Sequence, residues 1–310
     1  MPEINETQNY TKTTPNYTEI YYFSGTGNSL HIAKELQKRI PETRLTPILS
    51  LVNSESIKTT TETVGFVFPQ YASMAPKIVE KFIEKLHLES AEYNFAVATR
   101  GRTECWAFRE IDKILEKQGR SLDSFFVITM PSSSAAILED PEAQITEGKI
   151  ASLEAKAQNR LDSIQRIVAG RERNRDEDLS AVMPPPSILV PFLPVINLLI
   201  PILLPLGKMV ESRFDLYHND RCYGCGLCET VCLAGKVRMV DGKPVWSNGV
   251  KCFGCLGCFN FCPAESIQIK SKWYLKSYTE KNGRYHHPSI TAFDIAEQKR
   301  RVGTVVPDSI

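Results

Sequence analysis

Cys222, Cys225, Cys228 and Cys232 obey a spacing, C-x2-C-x2-C-x3-C, that returns thirty residues later as Cys252, Cys255, Cys258 and Cys262. Thiolates so spaced bind iron. Three of them, two residues apart, wrap a cubane, and the fourth starts a helix that carries it to the other repeat's cluster. The expected ligand sets therefore interleave: Cys222, Cys225, Cys228 and Cys262 for one 4Fe-4S cluster, and Cys252, Cys255, Cys258 and Cys232 for the second. Structural zinc fits poorly, because its paired C-x2-4-C arms stand a dozen or more residues apart. Disulfides fit no better. Eight of nine cysteines crowd between Cys222 and Cys262 of a 310-residue chain with 42% hydrophobic content, unlike a small secreted scaffold. Cys105 stands apart and is expected to act as a small buried hydrophobe.

A second chemical signature lies near the front. Residues 18 to 23 read as a buried strand, which runs into Ser24, Gly25, Thr26, Gly27, Asn28 and Ser29 and then a helical stripe of Leu30, Ala33, Leu36 and Ile40. Glycines let the backbone turn so that its N–H groups face an anion at a helix N-terminus, and the hydroxyls of Ser24, Thr26 and Ser29 add donors. Such a loop can hold a monophosphate. The Walker pattern needs Gly-Lys-Ser/Thr, and the dinucleotide fingerprint needs glycine where Leu30 stands, so neither ATP nor NAD fits this loop.

The elements that must position these groups alternate as a doubly wound parallel α/β sheet requires. An edge strand is expected near Leu45–Leu49, with further strands at Val64–Phe68, Tyr93–Thr99 and Phe125–Met130. Helices are expected over Pro76–His87, Glu104–Lys117 and Glu147–Arg175. In such sheets ligands sit beyond the carboxyl ends of the strands, which makes Pro69–Pro76 and Thr99–Thr103 the binding loops. The domains expected are a leader (1–17), a front domain (18–180), a proline-rich apolar connector (181–212) and a cysteine-rich α+β domain (213–310). Within the connector, Pro191, Pro194, Pro201 and Pro205 break the apolar stretch from Ile188 to Leu206, so no transmembrane span is expected. A packed connector, a homodimer contact and shallow membrane attachment through 188–206 remain as alternatives.

Net charge is +1, and from Lys208 onward 15 Lys plus Arg face 10 Asp plus Glu. Two oxidised clusters would contribute about −2 each, so the excess base offsets the clusters and no nucleic-acid partner is expected. The leader lacks the apolar core of a signal peptide, and eight thiolates belong in a reducing cytoplasm.

Residues 24–29 resemble the phosphate loop of flavodoxins, S/T-x-T-G-N-T/S. The whole order, ending in Arg284-Tyr285-His286-His287-Pro288, resembles the EFR1-family ferredoxins, which are flavodoxin-ferredoxin fusions, over most of residues 18 to 290. The resemblance implies a flavodoxin-like sheet with strand order 2-1-3-4-5, FMN as cofactor, and flavin-ring loops built from Pro69, Gln70, Tyr71, Ala72, Ser73, Met74, Thr99, Arg100, Gly101 and Arg102. It casts Tyr71 as the aromatic against the ring and Arg100 and Arg102 as cations facing the ring's N1 and C2 carbonyl. One departure is that Gln70–Pro76 lacks the glycine common in that loop, so a positive φ is expected to be harder to reach. Another is Leu233 after Cys232, where Pro263 follows Cys262. His286 and His287 are expected at the surface or in docking. The functional expectation is a cytoplasmic carrier that relays electrons between FMN, two 4Fe-4S clusters and a protein redox partner. The alternative is an FMN-dependent reductase of a small molecule or bound cofactor.

Overall fold

The computed structural model describes residues 17–101, 105–134, 145–176, 214–270 and 283–300. Arg102, the connector 181–212 and all of the leader before residue 17 lie outside the described residues. The front domain contains β1 (Thr18–Tyr22), β2 (Thr43–Pro47), β3 (Ile57–Lys58), β4 (Thr63–Pro69), β5 (Leu86–His87), β6 (Tyr93–Arg100), β7 (Ser124–Thr129) and β8 (Asn174–Arg175). Six of these form one parallel sheet in the order β2-β1-β4-β6-β7-β8, while β3 and β5 pair separately. Without the two-residue strands this is the expected 2-1-3-4-5 order. β1 is buried throughout and β4 and β6 at all but their last residue, because a parallel sheet has helices on both faces.

Those helices are α1 (Asn28–Arg39), α2 (Ile48–Leu51), α3 (Lys77–Lys85), α4 (Ala107–Glu116) and α5 (Glu147–Ala169). α1 buries Leu30, Ala33 and Leu36, the stripe read from sequence. α5 is shorter than expected. Its chain turns at Arg171, which takes a left-handed φ of 49°, and Asn174–Arg175 then joins the sheet beside β7. Among the described residues no helix is long and apolar enough to cross a membrane.

The second domain is small. β9 (Leu216–His218) pairs antiparallel with β12 (Ile267–Ile269), and β10 (Val237–Val240) pairs with β11 (Lys243–Trp246). Asp241 and Gly242 turn that second hairpin with φ of 48° and 73°, the paired positive values its two-residue turn needs. Short helices at Leu227–Thr230 and Gly257–Asn260 follow the second cysteine of each repeat.

Residues 283–300 tie the domains together. On one side, Lys299 Nζ donates to Thr230 O, and Arg284 donates to Phe259 O. On the other, Lys34 pairs with Asp294 at 2.7 Å, and the Tyr285 hydroxyl donates to Asn28 Oδ1 at 3.0 Å. The helix Ala292–Glu297 is fixed at its start by a reciprocal capping box between Thr291 and Asp294.

Candidate functional site

The eight clustered cysteines fall into two cavities. One is lined by Cys222, Cys225, Cys228 and Cys262 together with Met239, Pro244 and Ile267. The other is lined by Cys232, Cys252, Cys255 and Cys258 together with Phe253 and Trp246. In each, the fourth cysteine comes from the other repeat, just beyond the short helix that holds that repeat's third cysteine.

Without metal these thiols resist ionisation. Burial pushes Cys228 up to about 11 and Cys255 up to about 12, and burial together with the neighbouring cysteines raises Cys258 well above its ordinary value. Cys262 differs: burial opposes ionisation there too, but hydrogen bonds from Ser266 and from neighbouring N–H groups bring it below the ordinary range. Iron therefore has to displace protons from most of the cage, as thiolate ligation requires.

The repeats are not environmentally equivalent. Tyr223, after the first cysteine of the first repeat, is 67% exposed, and Cys225 beside it is exposed. Phe253, at the matching place in the second, lies edge-on to Phe23 with ring centroids 6.1 Å apart. The Cys232/Cys252/Cys255/Cys258 cage thus faces the front domain, and the Cys222/Cys225/Cys228/Cys262 cage faces solvent.

The phosphate loop lies directly under the second repeat. Ser24, Thr26 and Ser29 are buried, and a Cβ added at Gly25 would come within 2.6 Å of Cys255 Cβ and 2.7 Å of the Tyr71 hydroxyl. One added at Gly27, where φ is 102°, would come within 2.9 Å of His287 Cβ and Ile290 Cβ. The sequence assigned both glycines to an anion, but the structure gives them a further reason, the close approach of the second domain and its tail. Among the described residues, no protein oxygen accepts from the backbone N–H of Thr26, Asn28, Ser29 or Leu30 at the start of α1. Unpaired donors at the N-terminus of a twelve-residue helix are what a phosphate requires, so the loop fits the phosphate of a nucleotide such as FMN. The side chains nearby are already ordered: Gly27 N donates to Ser24 Oγ at 3.2 Å, and Ser29 Oγ lies 2.8 Å from Thr99 Oγ1.

The ring loops are placed as follows. Tyr71 is no surface aromatic: it stands edge-on to Phe23 at 6.5 Å with its hydroxyl against Gly25. Gln70 N–H donates to Thr99 O, which joins the two loops, and Tyr71 and Met74 exchange backbone hydrogen bonds across Ala72 and Ser73. Those two residues correct the expectation about φ. The turn reaches 46° at Ala72 and 68° at Ser73 without glycine, a strain that sits where ligand loops commonly store it. Pro69 ends β4 directly beside Thr99 of β6, and Gly101 packs on Ser132. Arg100 ends β6 with its Nε donating to Thr129 Oγ1 at 3.3 Å. Cys105, expected to be fully buried, is partly exposed and packs on the rim of the core.

Of the two places expected for His287, surface or docking, the structure gives it the second. Only 4% exposed, its ring stacks on that of His31 of α1 at 3.9 Å, and its backbone N–H donates to Thr26 O. His286 stacks on Phe261 at 4.2 Å. Glu154 of α5 receives a hydrogen bond from His31 Nε2 at 2.8 Å and lies 3.6 Å from His287 Nε2, while Ser289 Oγ meets His287 Nδ1 at 2.9 Å. These three side chains bring ligand atoms within 4.8 Å. They do not form a cation site, because nitrogen lone pairs lie in the ring planes and two stacked rings cannot aim both at one ion. They form a clasp. Burial, with His31 alongside, lowers His287 to about 4 from its ordinary 6.5.

A released His287 binds protons more readily than the docked one, so docking weakens as pH falls from 6.5 toward 4, and it is fully present above that window. At pH 5 the cost is roughly 2 kcal/mol, or about a thirtyfold rise in the opened population. Amide exchange across residues 283–300, compared at pH 7 and pH 5, is expected to show that rise in the wild type and to lose it in His287→Gln. Equal opening free energies at the two pH values would rule the clasp out as the sensor.

Gln298 was missed from sequence. Its fully buried amide accepts from Ser24 N–H at 2.9 Å and donates to Ser24 O at 2.8 Å. Only the Thr291/Asp294 capping pattern hinted that a helix stood there.

Comparison with known proteins matches residues 221–267 to the 4Fe-4S dicluster domain, which covers well under half of the chain. No curated protein sequence matches it. Among solved structures, the rubredoxin oxygen:oxidoreductase of the anaerobe Desulfovibrio gigas is similar at 11% identity over 50% of this chain and 37% of that one, with a TM-score of 0.28. The FMN-dependent NADH-azoreductase of Bacillus anthracis, solved in complex with FMN, is similar at 8% identity over 48% of this chain and 99% of that one, with a TM-score of 0.32. The chain thus spans well under half the length of the first. The chain joins a parallel α/β domain with the flavodoxin-like strand order to a small domain that matches the 4Fe-4S dicluster model.

Proposed function

We propose that the chain is an electron-transfer flavo-iron-sulfur protein, with FMN on the front domain, a 4Fe-4S cluster in each four-cysteine cavity, and a protein redox partner. The observation that carries this reading is the contact of Cys255 with Gly25, which puts one cage against the phosphate loop. When bound, FMN would supply a centre that exchanges one or two electrons, and each cluster a centre that exchanges one. The hydroxyls of Ser24, Thr26 and Ser29 and the N–H groups at the start of α1 would hold the phosphate. Tyr71, Phe23 and Phe253 pack together between loop and cage and keep water from the gap. On the far side, Tyr223 and Cys225 are exposed and would give a redox partner its nearest approach to a cage. Cytoplasmic location and kinship with the EFR1-family ferredoxins belong to the same reading.

Anaerobic purification, flavin extraction, iron and sulfide counts and a reductive titration followed by absorbance and EPR test it. One FMN with about eight irons is expected. About eight irons with no flavin would overturn the flavin half. Turnover of a small molecule without any protein partner would favour a reductase instead.

A further inference from the structure

Arg284 carries a half-buried charge that has no salt-bridge partner among the described residues. Its guanidinium donates to Phe259 O, to Glu265 O at 2.8 Å and to Ile267 O at 2.6 Å, all backbone carbonyls. It lies over the Phe259 ring at 3.9 Å. Among the described residues no carboxylate pairs with it, and its Nε–H is buried without an acceptor. A guanidinium held this way is costly unless a negative charge lies nearby. Burial disfavours its charged form, and the groups that favour it are Cys262 first, then the Glu265 carboxylate, which makes no salt bridge with it, and then Cys258. Those two cysteines line different cavities, and the three carbonyls sit on the stretch that runs from one cysteine to just past the other.

We propose that Arg284 is the fixed counter-charge of the iron-sulfur centres and a positioning residue for their potentials, holding them higher than the cysteine cages alone would. The proposal rests on the reading that the cavities hold 4Fe-4S clusters. A cluster ligated by four thiolates is anionic and gains one more negative charge on reduction. A nearby cation favours the reduced form more than the oxidised one, and it acts strongly because partial burial limits screening. Arg284 is suited to this because a guanidinium stays charged throughout the working pH range. It enters from the tail segment rather than the cysteine motif, so this adjustment is independent of the ligands themselves.

The test is a reductive titration of the full-length, cluster-loaded protein with EPR readout, comparing wild type, Arg284→Gln and Arg284→Lys, with iron and sulfide counted in each. Glutamine keeps a donor for the carbonyls and removes the charge. At the wild-type midpoint of the more affected centre, Arg284→Gln is expected to show at least a tenfold lower ratio of reduced to oxidised cluster. For a one-electron centre that is a 59 mV fall in potential. Arg284→Lys, which keeps the charge, is expected to stay within threefold of wild type. Unmoved midpoints in Arg284→Gln at full iron content would overturn the proposal, as would an equal shift in both variants, which would mean that packing rather than charge sets the potential. If Arg284→Gln loses iron, the lysine variant decides: a wild-type midpoint supports the proposal and a tenfold shift overturns it. A wild type without clusters would instead remove the underlying reading.

Discussion

Serine at both Cys232 and Cys252 is expected to cost the protein about four of about eight irons, whereas serine at both Cys228 and Cys232 is expected to cost all of them. The two pairs look similar on paper. Cys228 and Cys232 belong to one motif and Cys232 and Cys252 to different motifs, so ligation within each motif would give the opposite result. The structure places Cys232 and Cys252 in one cavity and Cys228 in the other. A cluster that has already lost one ligand loses nothing further when a second goes. Iron and sulfide counts on the two double variants decide the matter. Near-zero iron in Cys232→Ser/Cys252→Ser would overturn the interleaving.

The second large effect is expected from a single methyl group. Gly25→Ala places a Cβ within 2.6 Å of Cys255 Cβ and 2.8 Å of Cys255 O, and backbone cannot swing aside as the end of a side chain can. Overpacking of this kind costs about 1–3 kcal/mol. The cages are made within the second domain, so they should keep their iron while the joint between domains opens roughly tenfold to a hundredfold more often. Hydrogen exchange at residues 24–30 and 252–258 reads this opening directly. Wild-type protection at both segments in Gly25→Ala would show that the joint is looser than its geometry implies.

What the sequence made legible was local. Eight cysteines announce iron because ligand type and spacing lie within 41 residues, and the parallel sheet announces itself through buried strands alternating with helical stripes. The cysteines line the two cavities in the expected groups, but the short helix lies ahead of each fourth cysteine where the spacing suggested that the helix would start at it. What stayed hidden depended on distant partners. Gly25 and Gly27 read as phosphate-loop glycines, and nothing nearby in the chain says that Cys255 and His287 press on them. The histidine pair read as surface or docking, with nothing to separate the two, because the burial of His287 depends on α1 and α5. Arg284 looked like one basic residue among many until its carbonyl partners and its neighbouring cysteines were placed. Ala72 and Ser73 adopt left-handed backbone against their own preference, and residue type alone cannot forecast such strain.

The Ser24–Gln298 pairing spans 274 residues, and this gives the protein a history as well as a shape. A ribosome adds about 5–20 residues per second, and amino-terminal domains fold first. The loop around Ser24 is therefore made roughly 14–55 s before the glutamine that shuts it. During that interval every strand of the front sheet is completed, so the tail's contact with the loop is made only onto a domain whose chain is already whole.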